Sequence, residues 1–386
     1  MSQVLSGEWV TTVSDARAFI PGRLPAEFAW TPKLTHAVIE AQTCLGRLSG
    51  LGHRFRHPER LIRMFLRREA EYSSRIERTY AGVRTLVLFD LVKDVREQSP
   101  DVLEVENNYK VLKFVCETAG TIPITLASLR HMQAMLFEGV QRPPQVVGDF
   151  RRLQNWIGAS GNIHEARYVP PPPTHVRECL EGLLEFIRTP DELPPVVRCA
   201  MVHYQFEAIH PFDDGNGRIG RALILSQLLA DKAIPLPLLN PSAQLERQRQ
   251  AYYDLLHDVS VKGAWEEWIR YFSNCVTAEC RRSIQILERL DVLRNEYLSK
   301  VGKARQSALI LRLVDHLFGE PAVNVPTTAD ILGVTKQSAQ RLLEKLQAAH
   351  IVEEVTGQRR NRVYLANQIV DVFSERTDQG DEESST

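Results

Sequence analysis

Four consecutive prolines, Pro170–Pro173, constrain this chain more than any other stretch. Residues with a fixed φ and no N–H donor fit neither a helix interior nor a sheet ladder, so the structure on each side must stop there. Upstream, Leu34, Val38 and Ile39, and again Leu61, Met64 and Phe65, recur at helical spacing, which predicts helices from Thr31 to about Val140, one of them over Glu104–Glu117. Residues 1–30, with Pro21, Pro25 and little periodicity, read as an irregular arm. Residues 146–169 alternate partly and carry Gly158 and Gly161-Asn162 as turn signals, so a β-hairpin is expected just before the prolines. Beyond them Val176, Leu180, Leu183, Leu184 and Ile187 restore the helical period. Further helices are expected from about Pro194 to Ile209, from near Gly217 onward, and over Trp265–Leu293.

Residues 305–366 read as a separate unit. Its order is a helix (Ala308–Phe318), a short helix (Thr327–Leu332), the turn Gly333-Val334, a helix (Thr335–Ala349) and two short apolar runs joined through Thr356-Gly357-Gln358. The tail from 374 to 386 has almost nothing to bury and is expected to be disordered. A chain of 386 residues suggests two or three domains, at roughly 100–200 residues each. A net charge of −1 gives no global pull toward nucleic acid or an anionic membrane. Six scattered cysteines without a C-x-x-C pair argue against a disulfide framework and against structural zinc. The N-terminus lacks a signal-peptide pattern, and no apolar run approaches the ~20 residues that cross a bilayer. A cytoplasmic protein with no membrane partner is expected.

The chemistry concentrates in His210–Arg221, HPFDDGNGRIGR, a loop between two helices. Pro211 ends the first helix and leaves the His210 imidazole at its exposed C-terminal edge, where the helix end would raise its pKa slightly. Gly215 and Gly217 flank Asn216 and let the backbone turn sharply with N–H groups inward, a nest for phosphate at a helix N-terminus. Arg218 and Arg221, three apart, share a helix face, and their guanidinium forks match phosphate oxygens. Asp214 is a hard oxygen ligand suited to Mg²⁺ that bridges phosphates. Phe212 is expected to anchor the loop in the core. The assembly suits a nucleoside triphosphate, with His210 free as general base.

This segment resembles the defining motif of the Fic family, H-x-F-x-(D/E)-G-N-G-R-x-x-R, at every fixed position. The resemblance implies a mainly α fold: a Fic helical core with a small β-hairpin flap. It also implies transfer of AMP from Mg-ATP to a Ser, Thr or Tyr hydroxyl of a target protein, the chain itself included. By position His210 would deprotonate the hydroxyl, Asp214 would hold Mg²⁺, Gly215, Asn216 and Gly217 would cradle phosphates, and Arg218 and Arg221 would bind the outer ones. Asn155, Trp156, Ile157 and Gly158 resemble the flap that aligns the target strand. Tyr252 and Tyr253 resemble an aromatic pair beside adenosine, although paired aromatics also pack cores. The family's kinases replace the second glycine, so an intact Gly217 favours AMP transfer. Family members often dimerise, which makes a homodimer an expectation.

Ser73-Ser74-Arg75-Ile76-Glu77 resembles the family's inhibitory motif, (S/T)-x-x-x-E-(G/N), with Arg78 departing from the usual Gly or Asn. Ser73 and Glu77 would then form a brake in which Glu77 pairs with Arg221 and occupies the seat of the γ-phosphate. The C-terminal unit resembles a winged helix-turn-helix domain. Leu332, Val334, Ala339, Leu342 and Leu343 would be its core, with Gln337, Gln340, Arg341 and Lys345 facing outward and Arg359, Arg360 and Arg362 in the wing. That unit would contact DNA or another protein. The expected divisions are 1–104 (N-terminal helices with the brake), 105–295 (catalytic core) and 305–366 (winged helix). Two other functions remain open for the same residues: removal of AMP, with Glu77 positioning water, and a nucleotide-sensing DNA-binding regulator.

Overall fold

The computed structural model describes residues 6–52, 58–89, 91–92, 100–158, 161–301 and 308–374. It is mainly helical. The N-terminal helices are α1 (Pro32–Gly52), α2 (Pro58–Ile76), α3 (Val83–Leu88), α4 (Pro100–Thr118) and α5 (Leu126–Leu136). After the prolines come α6 (Pro173–Arg188), α7 (Pro195–Ile209), α8 (Asn216–Ala230), α9 (Pro241–Arg247), α10 (Arg249–Lys262) and the long α11 (Trp265–Val301). The proline run ends by becoming a helix start: Pro173 is the first residue of α6, where no intrahelical N–H is needed. The helix α4 runs through the expected division at 104, and α11 extends past 295.

At the centre lie α7 and α8. Every residue of α7 except Pro195 and Glu207 is buried, and so is every residue of α8 except Gly217, Leu229 and Ala230. A helix buried on nearly every side belongs in a core, and α7 packs against α8, α11, α6, α1 and β2. The loop from His210 to Gly215 therefore joins the two most enclosed helices of the molecule. Phe212 is fully buried against Phe150, with ring centroids 5.3 Å apart, as expected of an anchor.

Two expectations need correction. Within residues 1–30, Gly7–Thr11 (β1) and Arg17–Pro21 (β2) form an antiparallel hairpin with Trp9 opposite Phe19. Phe19 is fully buried in the helical core, and its N–H donates to Val169 O (2.9 Å). Strands of five residues carry too little periodicity to announce themselves. Conversely, the hairpin expected over 146–169 is a single antiparallel bridge, Ile157 to Tyr168, with a 3-10 turn over Ile163–Glu165. Its first arm spends its polar groups on the His210 loop rather than on a ladder: Arg151 N–H donates to Pro211 O (3.0 Å) and Asn155 Nδ2 to Phe212 O (3.1 Å).

The C-terminal unit comprises α12 (Ala308–Leu317), β3 (Ala322–Asn324), α13 (Val325–Leu332), α14 (Lys336–Ala348), β4 (Glu353–Glu354), β5 (Val363–Leu365) and α15 (Asn367–Ser374). The sheet order is β3-β5-β4, antiparallel throughout. Asn324 and Thr327 form a capping box for α13, Gly333 ends it at φ +68°, and Thr335 caps α14. Leu332, Ala339, Leu342 and Leu343 are buried, while Arg341, Lys345, Arg359, Arg360 and Arg362 are exposed. The unit sits on α2 and α3. Phe373 meets Phe65 edge-on at 5.3 Å, Glu320 takes Arg63 and Arg67 (3.1 Å to the latter), and Arg84 donates to Asn367 (2.6 Å). The expected disordered tail lies outside the described residues apart from Ser374, which closes α15.

Phe373 is 1% exposed, so Phe373→Ala removes an aromatic plug between the C-terminal unit and α2. A loss of about 3–5 kcal/mol is expected from urea-induced unfolding. A loss under about 1 kcal/mol would mean the unit does not depend on that contact.

Candidate active site

The site begins where α7 ends. His210 occupies the left-handed region (φ +47°, ψ +60°), and its N–H still closes the last helical turn on Phe206 O (3.1 Å). The chain then reverses, and Asn216 holds the reversal. Its Oδ1 accepts from Phe212 N–H and its Nδ2 donates to Phe212 O, both at 2.8 Å. The Asn216 side chain thus staples the loop, leaving its backbone for the nest. Asp214 Oδ1 accepts from Gly215 N–H (2.6 Å), Asp213 Oδ2 from Val146 N–H (3.2 Å). Gly215 stands at φ +90°, a left-handed conformation that favours glycine, and begins α8 with its first N–H groups free. A Cβ on Gly217 would lie 2.1 Å from Glu77 Oε1 and 2.8 Å from Arg221 Nη1, so any side chain there would have to displace the Glu77–Arg221 pair.

A cavity of about 390 Å³ opens over this turn, within the range of small-molecule sites. His210, Asp214, Asn216, Gly217 and Arg221 line one part of it. Trp156, Ile157, Tyr168, Tyr204, Tyr253 and Leu256 line the rest, together with Gly158 and the carboxyl of Glu207. Glu77, Arg167, Asp213, His257 and Ser260 also line it, so the cavity combines charged and polar groups with aromatic surface.

Arg221 is 1% exposed and fully committed. Its Nε donates to Ser73 Oγ (3.0 Å), and its Nη2 donates to Ser73 O (2.8 Å) and to Glu77 Oε1 (2.7 Å). Burial works against the charge on Glu77, yet Arg221, by charge and by hydrogen bond, holds its carboxyl below the usual value. A carboxyl depressed in the folded state adds stability above its ordinary pKa of 4.5 and loses it as pH falls through the folded value. Glu77 reaches Arg221 because α2 ends in a tight reversal. Thr79 N–H donates to Ser74 O and Arg78 N–H to Arg75 O (3.0 Å each), the paired bonds of a Schellman cap, with Arg78 at φ +66°. The inhibitory motif's usual Gly or Asn after Glu is the residue type such a cap favours.

Several expected site residues lie elsewhere. Arg218 does not line the cavity. It is 2% exposed, stacked over Phe137 and paired with Glu104 (3.2 Å), with Asp214 at 3.6 Å. Two arginines three apart can diverge when one meets a partly buried carboxylate on the neighbouring α4. Tyr252 is wholly buried, its hydroxyl on His203 Nε2 (2.9 Å); only Tyr253 faces the cavity. Asn155 braces Phe212 instead of lining the cavity. His210 is half-buried, its Nδ1 without a hydrogen-bond partner. Its pKa is lowered to about 4, not raised: burial and then Arg151 outweigh Glu77 and the Glu207 carbonyl. The imidazole is thus neutral and able to accept a proton at any pH well above 4.

Sequence reasoning missed Glu104, Arg151 and Glu207. Glu207 sits one turn before His210 on the same helix, and its carboxyl lies against the Cα of Gly220. Burial pushes its pKa up to about 7, with Arg221 pulling it down and Glu77 up. The i, i+3 spacing of Glu207 and His210 was the available signal. Among the described residues no cluster of three His, Cys, Asp or Glu side chains forms a metal site.

Relaxing the cap is a direct test. Arg78→Gly is expected to raise stability by about 1 kcal/mol in urea unfolding, because glycine adopts the left-handed conformation without Cβ strain. No gain would mean Arg78 is held there by contacts of its own.

Residues 123–228 match the profile of the Fic/DOC family, and residues 35–117 match that of the Fic/DOC family N-terminal region. The chain is 26% identical over 162 residues to a protein adenylyltransferase, fic-1, of Caenorhabditis elegans, covering 42% of this chain and 30% of that protein. It is 31% identical over 156 residues to the protein adenylyltransferase Fic of Drosophila grimshawi, covering 40% and 29%. These matches thus span under a third of either relative's length. A crystal structure of a Fic family protein from Desulfovibrio desulfuricans superimposes with a TM-score of 0.58 at 18% identity, over 89% of this chain and 98% of that one, a likeness of fold. No helix among the described residues is long and apolar enough to cross a membrane. Along the chain, a stretch similar to the Fic/DOC family N-terminal region is thus followed by one similar to the Fic/DOC family itself.

Proposed function

We propose that the chain transfers AMP from Mg-ATP to a Ser, Thr or Tyr hydroxyl of a protein, and that Glu77 restrains it. One observation carries this reading: a neutral His210 stands beside a glycine-bracketed helix N-terminus and a buried Arg221 in one cavity. The free N–H groups at Asn216 and Gly217 suit phosphate oxygens, and Arg221 suits the outer phosphates. Asp214, an exposed carboxylate at the cavity edge, suits Mg²⁺, which would neutralise phosphate charge. His210 takes the proton of the target hydroxyl as that oxygen attacks the α-phosphorus, and pyrophosphate leaves. Trp156, Ile157 and Gly158, at the cavity mouth, are the surface against which a target segment would lie. Arg218, turned to Glu104, needs a side-chain rotation before it can reach a phosphate. Relatives named protein adenylyltransferase support the reaction class.

The brake is a competition for one guanidinium. While Glu77 neutralises Arg221, an outer phosphate finds its seat taken. Incubation with α-labelled ATP, Mg²⁺ and cell lysate tests both parts. Glu77→Gly is expected to label itself or a target severalfold faster than the unaltered chain. His210→Ala should reduce labelling by about 10²–10⁴-fold in either background. Labelling that survives His210→Ala would exclude this chemistry, and equal rates with and without Glu77 would exclude the brake.

The unit of residues 308–374 reads as a winged helix-turn-helix, supported by its helix, strand, helix, helix, strand, strand order and by exposed Arg341, Lys345, Arg359, Arg360 and Arg362. Gln340 is already tied to Glu344 (2.9 Å) and Tyr364 (3.3 Å), which removes one expected base-reading group. Binding to duplex DNA that weakens steeply with salt would assign the face to nucleic acid; none at low salt would assign it to protein contact.

A further inference from the structure

The structure holds a buried arginine that no ion pair explains. Arg151 is 2% exposed, on the segment that leads to the cavity mouth. Its side-chain hydrogen bonds all go to main-chain carbonyls: Nε to His210 O (2.8 Å), Nη2 to Pro171 O (2.5 Å) and Ile209 O (3.4 Å), Nη1 to Leu153 O (3.4 Å). Its own N–H donates to Pro211 O (3.0 Å). One residue thus reaches the carbonyls of Ile209, His210 and Pro211, where α7 stops, and also the proline run and the cavity-mouth segment. Helix C-termini leave carbonyls without partners and carry partial negative charge, so a guanidinium is well matched to this end. Burying a cation here is costly, and desolvation lowers the Arg151 pKa to about 10 despite the favourable charge of Asp213.

We propose that Arg151 is a positioning residue for His210: its guanidinium clamps the carbonyl end of α7, fixes the left-handed backbone at His210 and thereby aims the imidazole into the cavity. The inference rests on the reading of His210 as proton acceptor and names the group that orients it. His210 is a non-glycine residue in a sparsely populated backbone region (φ +47°), and the two carbonyls flanking its φ and ψ, those of Ile209 and His210, are both held by Arg151. The imidazole faces Arg151 from the cavity-mouth segment, Glu77 from the end of α2 and Glu207 from its own helix; Asp213, Asp214 and Arg221 complete the charges around it. Burial is the main reason the imidazole stays neutral, and the charge of Arg151 adds to it.

The test compares Arg151→Gln and Arg151→Lys with Arg198→Gln in the full chain. Arg198 is an equally enclosed arginine that also donates to main-chain carbonyls, those of Phe186, Ile187 and Thr189 at the end of α6, away from the cavity. Two readouts are used. In isotope-labelled protein followed by NMR, the His210 titration midpoint should rise above the parent's in Arg151→Gln while staying below that of free histidine, because burial remains; it should stay near the parent's in Arg151→Lys and not move in Arg198→Gln. In the Glu77→Gly background with ATP, Mg²⁺ and the protein it labels, Arg151→Gln should lower kcat by about 100-fold with little change in KM for ATP, and Arg151→Lys should recover much of it. The proposal is overturned if folded Arg151→Gln titrates like the parent, or if Arg198→Gln moves His210 as far. If Arg151→Gln does not fold, Arg151→Lys decides: unchanged kcat with an unmoved midpoint supports a charge clamp, and a midpoint as high as that of free histidine rejects it. Should no AMP transfer occur in any variant, the titration still decides on the clamp while the proposed reaction fails separately.

Discussion

The site depends on ending a buried helix inside the protein. A helix as enclosed as α7 can stop there only if its last carbonyls find donors, because an unpaired buried carbonyl costs as much as a lost hydrogen bond. Arg151 serves the carbonyls at Ile209, His210 and Pro211, and Asn216 serves both backbone groups of Phe212. With those groups satisfied, the chain can reverse in the six residues between α7 and α8. That short reversal sets a proton acceptor, a free helix N-terminus and a buried guanidinium around one cavity.

A second constraint acts on Arg221. At 1% exposure Arg221 takes a counter-charge, and the fold supplies it from a different helix. Glu77 arrives from the end of α2, carried round by a Schellman cap whose left-handed position is filled by Arg78. The same α2 carries Phe65, Arg63 and Arg67, which hold the C-terminal unit. The helix that delivers the counter-charge is therefore also the platform for residues 308–374, so the placement of Glu77 and the seating of that unit share one rigid element.

Much of this was legible in the chain. The proline run, the apolar periodicity of α6 and the turn Gly333-Val334 of the C-terminal unit are each set by residues a few positions apart, and local periodicity and turn residues report such elements. The hairpin of β1 and β2 was not legible, since its strands are only five residues long and their burial comes from the helical core and Val169, far along the chain. The flap was over-read for the opposite reason. Its alternating pattern suggested a ladder, but its donors are spent on the His210 loop.

By itself the sequence determined which residue types meet at the turn: histidine before proline, an aspartate, glycines that permit the reversal, and arginines at helical spacing. It also marked Glu77 and Arg221 as a pair. Only the tertiary structure decided which side chains face the cavity. Arg218 turns away to Glu104, Tyr252 withdraws onto His203, and Arg151 and Glu207 move in beside His210. The reason is that spacing along one helix fixes a direction to within a turn. The partner a buried charge selects lies on another element, more than 100 residues away for Arg218 and Glu104, and desolvation makes that selection decisive.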